Sequence, residues 1–285
     1  MKEIHIKIID KMKSLLFLYF CVAMAFSAMA SSVSDTYVIP NPQQMVCGDG
    51  HFVLRAQASF SCNLAGTDKD DFVSYVSNSP LSLTYKKKGK ADITFKLVSP
   101  ENAKMKEEAY RLKVTKKGIQ AEATSASGLF YAFQSIVQLA RESGSGTYRL
   151  PEVTIEDAPR FSYRGMHLDV SRHFYTKEFV KKQIDALARY KLNRFHWHLT
   201  DGAGWRIEIK KYPELTRETA YRPFPDWKSW WNGGRTYCRQ DAPGASGGYY
   251  TQEDVKEIVE YARQHFITII PEIEMPAHSE EVLAA

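Results

Sequence analysis

The sequence predicts an α/β protein: a small α+β N-terminal domain followed by the first three β/α units of an incomplete TIM (β/α)8 barrel. Residues 37–158 show several alternating strand patterns and one amphipathic helix, whereas residues 159–285 alternate strand-like and helix-like segments. In the second region, apolar runs end in charged or imidazole side chains. That pattern is typical of barrel strands that carry function at their carboxyl ends.

The first 30 residues are predicted to be a cleaved secretory signal peptide. Lysines precede the apolar run 15–26, and Ala28-Met29-Ala30 offers a small-x-small cleavage site. The apolar run is shorter than the roughly 20 residues that a transmembrane helix requires, so we expect no stable membrane span. We expect export to the periplasm or the extracellular space. Lipid anchoring through Cys21 is the alternative, although two bulky aromatic residues precede it.

Composition limits the classes of partner. Of the 285 residues, 44% are hydrophobic and 25% are charged, as in globular proteins. The balance of 38 Lys+Arg against 33 Asp+Glu is mildly basic, but no basic run is interleaved with aromatic residues. We therefore expect no nucleic-acid partner. The sequence indicates no particular oligomeric state.

Cysteine usage allows at most one internal disulfide after signal cleavage. Cys47, Cys62 and Cys238 then remain, which is an odd number. Cys47 and Cys62 lie in the same region and would pair if their strands were neighbours; free thiols are the equal alternative. No Cys/His spacing indicates a structural zinc site, and we expect no metal and no cofactor.

The N-terminal domain is predicted from residue periodicity. Alternation over 110–123, with a turn at 116–118, predicts a β-hairpin, and further alternation predicts strands at 81–85 and 93–97. Apolar residues at helical spacing predict a helix over 129–140. None of these segments carries an evident catalytic pattern. We expect this domain to pack beside the larger one.

Pro151 and Pro159 are predicted to mark the domain boundary, because proline interrupts regular structure. Beyond it, Thr176 and Thr251 are candidate N-caps. The expected elements, in order, are a strand at 161–170, a helix after Thr176, a strand at 193–201, an aromatic and glycine-rich loop at about 204–250, a helix after Thr251, and a strand at 266–275.

The sequence also predicts that residues 159–285 contain only the first three strands of the barrel. Three strands do not close a barrel, which needs eight strands and typically about 250 residues. Residues 279–285 have strong helix propensity and no stop signal. We therefore expect a truncated product or part of a longer protein. The third strand would then offer an unpaired edge, which favours aggregation.

Two pairs of side chains suggest chemistry from spacing alone. His196 and His198 lie two residues apart on a predicted strand, so both face one side and are a candidate metal pair. Packed, hydrogen-bonded histidines are the other interpretation. Glu272 and Glu274 have the same spacing and would supply the two carboxylates that most glycosidases use.

Three motifs in this region are similar to those of glycoside hydrolase family 20, the β-N-acetylhexosaminidases. They are Arg-Gly-Met-His-Leu-Asp-Val-Ser-Arg-His-Phe from Arg164, His-Trp-His-Leu-Thr-Asp from His196, and Pro-Glu-Ile-Glu-Met-Pro-Ala-His from Pro271. The resemblance extends over about residues 37–285. It implies hydrolysis of terminal N-acetylglucosamine or N-acetylgalactosamine from glycans.

The resemblance also implies a mechanism. Enzymes of this family are substrate-assisted and retaining: the 2-acetamido oxygen of the substrate attacks the anomeric carbon. An Asp steadies that group, and an adjacent Glu protonates the leaving oxygen. No Asp-Glu dipeptide occurs between Asp201 and Ala285, so no catalytic residue of this kind is expected within this chain.

The supporting residues are assigned by the same resemblance. Arg164 would bind sugar hydroxyls; a buried ion pair with Asp169 or another barrel carboxylate is its alternative. Asp201 would orient His278, which would contact the catalytic acid; a turn cap and an exposed histidine are the alternative. The predicted substrate-binding residues are therefore Arg164, Asp201, Glu274 and His278, with Asp201 and His278 supporting catalysis.

This sequence departs from the family pattern at three places. Glu274 replaces the usual Asp, Ala277 the usual Gly, and Gly202-Ala203 the usual Asp-Gln. Two further functions remain open at this stage: an inactive sugar-binding or misfolded fragment, and a metal-dependent barrel hydrolase that uses His196 and His198.

Overall fold

A mixed β-sheet and a set of three parallel strands make up the fold. A computed structural model describes residues 36–103, 105–144 and 146–285; the predicted signal peptide lies outside them. The elements of the first half are β1 (Gln44–Leu54), β2 (Ser59–Cys62), α1 (Gly66–Ser77), β3 (Thr84–Tyr85), β4 (Ile93–Leu97), α2 (Pro100–Ala103), β5 (Tyr110–Thr115), β6 (Gly118–Ala123), α3 (Ala126–Leu139), β7 (Arg141–Gly144) and β8 (Thr147–Asp157).

The sheet of the first half has the strand order β1-β8-β5-β6-β4-β2-β3, with β7 paired to β8. The pairs from β1 to β6 along this order are antiparallel, and those from β6 to β3 are parallel. The predicted hairpin is confirmed as β5 and β6. The strand predicted at 81–85 is largely wrong, because only Thr84 and Tyr85 pair.

Helix α3 confirms the predicted central helix and is buried on nearly all sides. It begins after Ser125, whose Oγ accepts a hydrogen bond from the Gly128 backbone N at 3.1 Å. One face packs on the sheet, and Phe130 on another face contacts Phe266 of the second half at a ring-centroid distance of 5.0 Å. A helix between two layers is apolar all round for this reason.

One prediction about the first half, the break at Pro151, is wrong, and of the two alternatives for Cys47 and Cys62 the free thiols are confirmed. Pro151 lies within β8 and does not interrupt it, because the register of its partner β1 shifts there, between Cys47 and His51. A local irregularity tolerates the missing N–H of proline. Cys47 and Cys62 are free thiols, and four strands separate β1 from β2 in the sheet, so the two residues are too distant for a disulfide.

The second half contains the expected βαβ units. Its elements are β9 (Gly165–Asp169), α4 (Lys177–Arg189), β10 (Arg194–His198), β11 (Thr200–Asp201), β12 (Gly204–Trp205), α5 (Glu214–Thr219), β13 (Tyr221–Arg222), α6 (Trp227–Asn232), β14 (Ser246–Gly247), α7 (Gln252–Gln264), β15 (Thr268–Glu272) and α8 (Glu280–Ala284). Strands β9, β10 and β15 form a parallel sheet with β10 in the centre.

The helix starts of this half follow the prediction. Thr176 caps α4, and Thr251 caps α7 in a reciprocal capping box with Asp254. The buried faces of both helices pack towards each other and the strands. The core runs without a break from the first half into the second, so residues 38–285 form one unit.

A buried arginine holds the long loop that follows β12. The Arg206 side chain is 1% exposed and donates to backbone oxygens of Val170 at 3.2 Å, Ser171 at 2.7 Å and Gly248 at 3.2 Å, and also to Ala220. Burial lowers its pKa to about 9. These bonds tie both ends of the loop to the carboxyl end of β9.

Among the helices of the described residues, none has both the length and the hydrophobicity that a membrane span requires.

Candidate functional site

The carboxyl ends of the three parallel strands bring the polar motif residues together. In the strand register, His198 lies between Asp169 of β9 and Glu272 of β15. The opposite row, at the amino ends, is Gly165, Arg194 and Thr268. The polar residues after each strand therefore share one edge of the sheet, as in the functional face of a β/α barrel.

Asp201 is the centre of this edge. The residue is 5% exposed, and its Oδ2 lies 2.7 Å from Arg172 Nη2, 3.2 Å from His278 Nδ1 and 3.4 Å from His198 Nε2. The structure thus brings together Asp201 and His278, as the sequence suggested. The His278 side chain is exposed, so its ring has room to contact a ligand. A buried carboxylate beside an exposed imidazole can orient that imidazole.

Arg172 is a residue of the site that the sequence interpretation missed. Its Nη1 lies 2.6 Å from Asp169 Oδ2, while Asp169 Oδ1 accepts the backbone N–H groups of Ser171 and Arg172 at 2.9 and 3.0 Å. Burial alone would raise the pKa of Asp169, but these hydrogen bonds hold it below its ordinary value. The sequence signal that could have identified Arg172 was its position three residues after Asp169, the carboxylate that ends β9.

The prediction that Arg164 binds sugar is wrong. Arg164 precedes β9 and lies at the amino end of the sheet, opposite to Asp201. Its guanidinium pairs with Glu108 at 2.9 Å and donates to the Lys191 and Phe161 oxygens, each at 2.8 Å. The ion-pair alternative is therefore correct, but its partner comes from the first half of the chain and not from a barrel strand.

Glu272 and Glu274 interact with each other and with the histidines around them. Burial raises the pKa of Glu272, yet a hydrogen bond from Glu274 and the neighbouring histidines lower it overall. The hydrogen bond to Glu272 raises the pKa of Glu274, and burial adds to this. Glu274 is therefore the member of the pair whose pKa is raised, and its backbone N donates to Thr200 Oγ1 at 2.9 Å.

Three histidines face Glu272. Its Oε2 lies 2.5 Å from His196 Nε2, 3.3 Å from His198 Nδ1 and 3.5 Å from His167 Nε2. Burial lowers the pKa of His198, but the Asp201 hydrogen bond and the negative charges of Asp169 and Glu272 raise it overall. His167 was not considered from the sequence, because a single histidine in an apolar strand gives no spacing signal.

Comparison with known proteins identifies the family. The model of glycosyl hydrolase family 20, domain 2, matches residues 35–158, and the model of the family 20 catalytic domain matches residues 161–285. The chain belongs to glycoside hydrolase family 20. A β-hexosaminidase of Vibrio furnissii is 38% identical over 262 residues, which are 90% of this chain and 40% of that protein.

Solved family 20 structures have the same fold. The exo-β-N-acetylglucosaminidase of Vibrio harveyi, in complex with N-acetylglucosamine, matches with a TM-score of 0.73 and 34% identity over 89% of this chain. The β-N-acetylhexosaminidase of Bacteroides fragilis matches with a TM-score of 0.72 and 33% identity over 87% of it. This chain covers 39% and 47% of those two chains, so it spans less than half of the relatives.

Near the site, this family 20 chain buries a carboxyl group that should make stability depend on pH. Glu281 of α8 is fully buried, and burial, reinforced by the charges of Asp201 and Glu280, raises its pKa from 4.5 to about 7. The folded state therefore binds more protons than the unfolded state between these values. Stability should decrease as the pH rises through this window and remain lower above it.

We expect Glu281→Gln to increase the free energy of unfolding at pH 8 by about 2–3 kcal/mol, because the amide has no charge to desolvate. At pH 4 the gain should disappear, since the wild-type carboxyl is then neutral. Urea unfolding at both pH values measures this difference. Glu280→Gln, at the exposed neighbouring position, is the matched control and should change stability little. An equal effect of Glu281→Gln at both pH values would contradict the explanation.

Proposed function

We propose that this chain contributes the Arg172, Asp201 and His278 part of the sugar site in an exported β-N-acetylhexosaminidase. The observation that carries the proposal is the convergence of Arg172 and His278 on Oδ2 of Asp201 at the strand ends. Relatives that are named β-hexosaminidase or N,N'-diacetylchitobiase support it. Terminal N-acetylglucosamine or N-acetylgalactosamine of glycans would be the substrate.

Arg172 would recognise the sugar through its hydroxyl groups. Its contacts with Asp169 and Asp201 use two of the five N–H donors of the guanidinium, and its side chain is 36% exposed. The planar fork can donate two parallel hydrogen bonds to vicinal hydroxyls. The two carboxylates hold this fork rigidly, so little freedom is lost when a sugar binds.

His278 would act on the proton-transfer step. Asp201 Oδ2 fixes its Nδ1 side, which leaves the opposite nitrogen free to approach the acid that protonates the leaving oxygen. The acid and the acetamido-orienting Asp would be an Asp-Glu pair outside residues 1–285. The nucleophile would be the acetamido oxygen of the substrate, so the reaction retains the anomeric configuration.

The test is an assay of the protein that contains these residues and the rest of its reading frame. We expect hydrolysis of a chromogenic N-acetyl-β-glucosaminide and none of the matching β-glucoside, since only the first carries the nucleophile. Arg172→Ala should raise KM and weaken a thiazoline inhibitor by about tenfold or more. His278→Ala should instead lower kcat and change its pH profile. Arg55→Ala, at an exposed position in the first half, is the arginine control.

Two outcomes would contradict the proposal. Equal hydrolysis of the glucoside would exclude the substrate-assisted mechanism. Assayed alone, residues 1–285 should leave the substrate intact. Turnover that is lost in Glu274→Gln would make Glu272 and Glu274 the catalytic pair instead.

Export is tested by cell fractionation, in which deletion of residues 1–30 should retain the protein in the cytoplasm.

A further inference from the structure

We propose that His167, His198 and Glu272 form a binding site for a divalent transition-metal ion of the zinc class. The three residues come from three different strands, β9, β10 and β15. His198 and Glu272 lie in the row at the carboxyl ends, and His167 lies two residues before that row on β9. Each side chain offers one ligand atom, and these atoms lie within 4.8 Å of one another. This inference goes beyond the proposed hydrolase function and does not depend on it.

The distances between the ligand atoms fit one face of a zinc tetrahedron. His167 Nε2 and His198 Nδ1 are 3.2 Å apart, and Glu272 Oε2 lies 3.3 Å from the second and 3.5 Å from the first. Zn²⁺ binds imidazole nitrogen and carboxylate oxygen at about 2.0–2.2 Å, which places tetrahedral ligands about 3.3–3.5 Å from each other. No large movement is therefore needed to seat an ion.

The surrounding residues provide the partners that metal ligands require. His198 Nε2, on the far side of the ring from Nδ1, lies 3.4 Å from Asp201 Oδ2, so the carboxylate can hold the tautomer in which Nδ1 binds the ion. His196 Nε2 lies 2.5 Å from Glu272 Oε2 and can orient that carboxylate. The fourth position of the ion would be open to water.

The donor set selects the class of ion. Two imidazoles and one carboxylate favour Zn²⁺, Co²⁺, Ni²⁺ or Cu²⁺, whereas Mg²⁺ and Ca²⁺ prefer oxygen ligands alone. The His167 and Glu272 side chains are 46% and 26% exposed, which leaves a path from solvent. His198 is buried and anchors the site.

The experiment titrates the untagged, EDTA-treated chain with Zn²⁺ by calorimetry and with Co²⁺ by visible absorption. We expect one Zn²⁺ per chain, intense d–d bands of tetrahedral Co²⁺, and no displacement of either ion by millimolar Mg²⁺. Loss of an indirect partner typically weakens a metal site by about 10–100-fold, so loss of a ligand in His167→Ala or Glu272→Gln should weaken it by at least about 100-fold. His51→Ala, at an exposed histidine of β1, should leave the affinity unchanged.

A thermal measurement protects the test against a variant that folds poorly. Zn²⁺ should raise the unfolding midpoint of the wild type and of His51→Ala, because it binds the folded state. Glu272→Gln keeps the shape of the side chain and should lose this rise. The proposal is overturned if the wild type binds no Zn²⁺, if Mg²⁺ competes equally, or if His167→Ala and Glu272→Gln bind as tightly as the wild type.

Discussion

Arg206→Ala is expected to reduce the free energy of unfolding by about 3–5 kcal/mol, the largest loss among the substitutions considered. The guanidinium is buried and donates to the Val170, Ser171, Ala220 and Gly248 oxygens. Hydrogen bonds from a charged donor contribute about 1.5–3 kcal/mol each, and the freed desolvation energy of the cation offsets part of their sum. Alanine would leave these buried oxygens without their donor and a cavity between them.

The same substitution should loosen the loop before it unfolds the protein. Urea unfolding measures the stability, and limited proteolysis should find new cleavage sites between residues 207 and 250. Arg239→Ala is the matched control in the same loop, because Arg239 is exposed and its surface pair with Glu218 should contribute little to stability. A loss below about 1 kcal/mol for Arg206→Ala would show that water replaces the guanidinium at these carbonyls.

Elements with a strong period were predictable from the sequence. Alternation located the β5–β6 hairpin, and helical spacing with a capping threonine located α4 and α7. The pair Cys47 and Cys62 illustrates the limit. Both lie in strands, but the order of strands in a sheet is set by long-range packing that no local pattern records.

The site was predictable in part, because the sequence pattern locates the ends of the parallel strands. Asp201 and His278 each follow a strand, so parallel strands bring them to one edge. The sequence pattern did not show that Arg164 and Arg172, the two arginines of the first motif, lie at opposite ends of β9. β9 begins only at Gly165, later than the apolar pattern suggests, and this places Arg164 at one end of the strand and Arg172 beyond the other. The partner that holds Arg164, Glu108, is 56 residues away in the chain.

Arg164→Ala is expected to reduce the free energy of unfolding by about 3–4 kcal/mol without weakening the binding of a sugar ligand. Arg164 and Glu108 are largely buried, and the guanidinium also donates to Tyr131 Oη at 3.1 Å. Removing one member of a buried ion pair leaves the other charge without compensation, which typically costs about 3–5 kcal/mol. The remaining exposure of both side chains reduces this somewhat.

The pH dependence of this loss identifies its cause. Burial raises the pKa of Glu108, but the hydrogen bond and charge of Arg164 lower it overall, so the pair stabilises the protein above the unfolded pKa near 4.5 and less as the pH falls. In Arg164→Ala the buried carboxylate should become protonated at a higher pH, and the deficit should shrink between about pH 7 and pH 4. The double variant with Glu108→Gln should recover part of the stability at pH 7, because no unpaired charge remains. Urea unfolding of the wild type, the two single variants Arg164→Ala and Glu108→Gln, and the double variant at both pH values gives the coupling energy between Arg164 and Glu108. A loss independent of pH and unchanged by Glu108→Gln would assign the role of Arg164 to its hydrogen bonds with backbone oxygens.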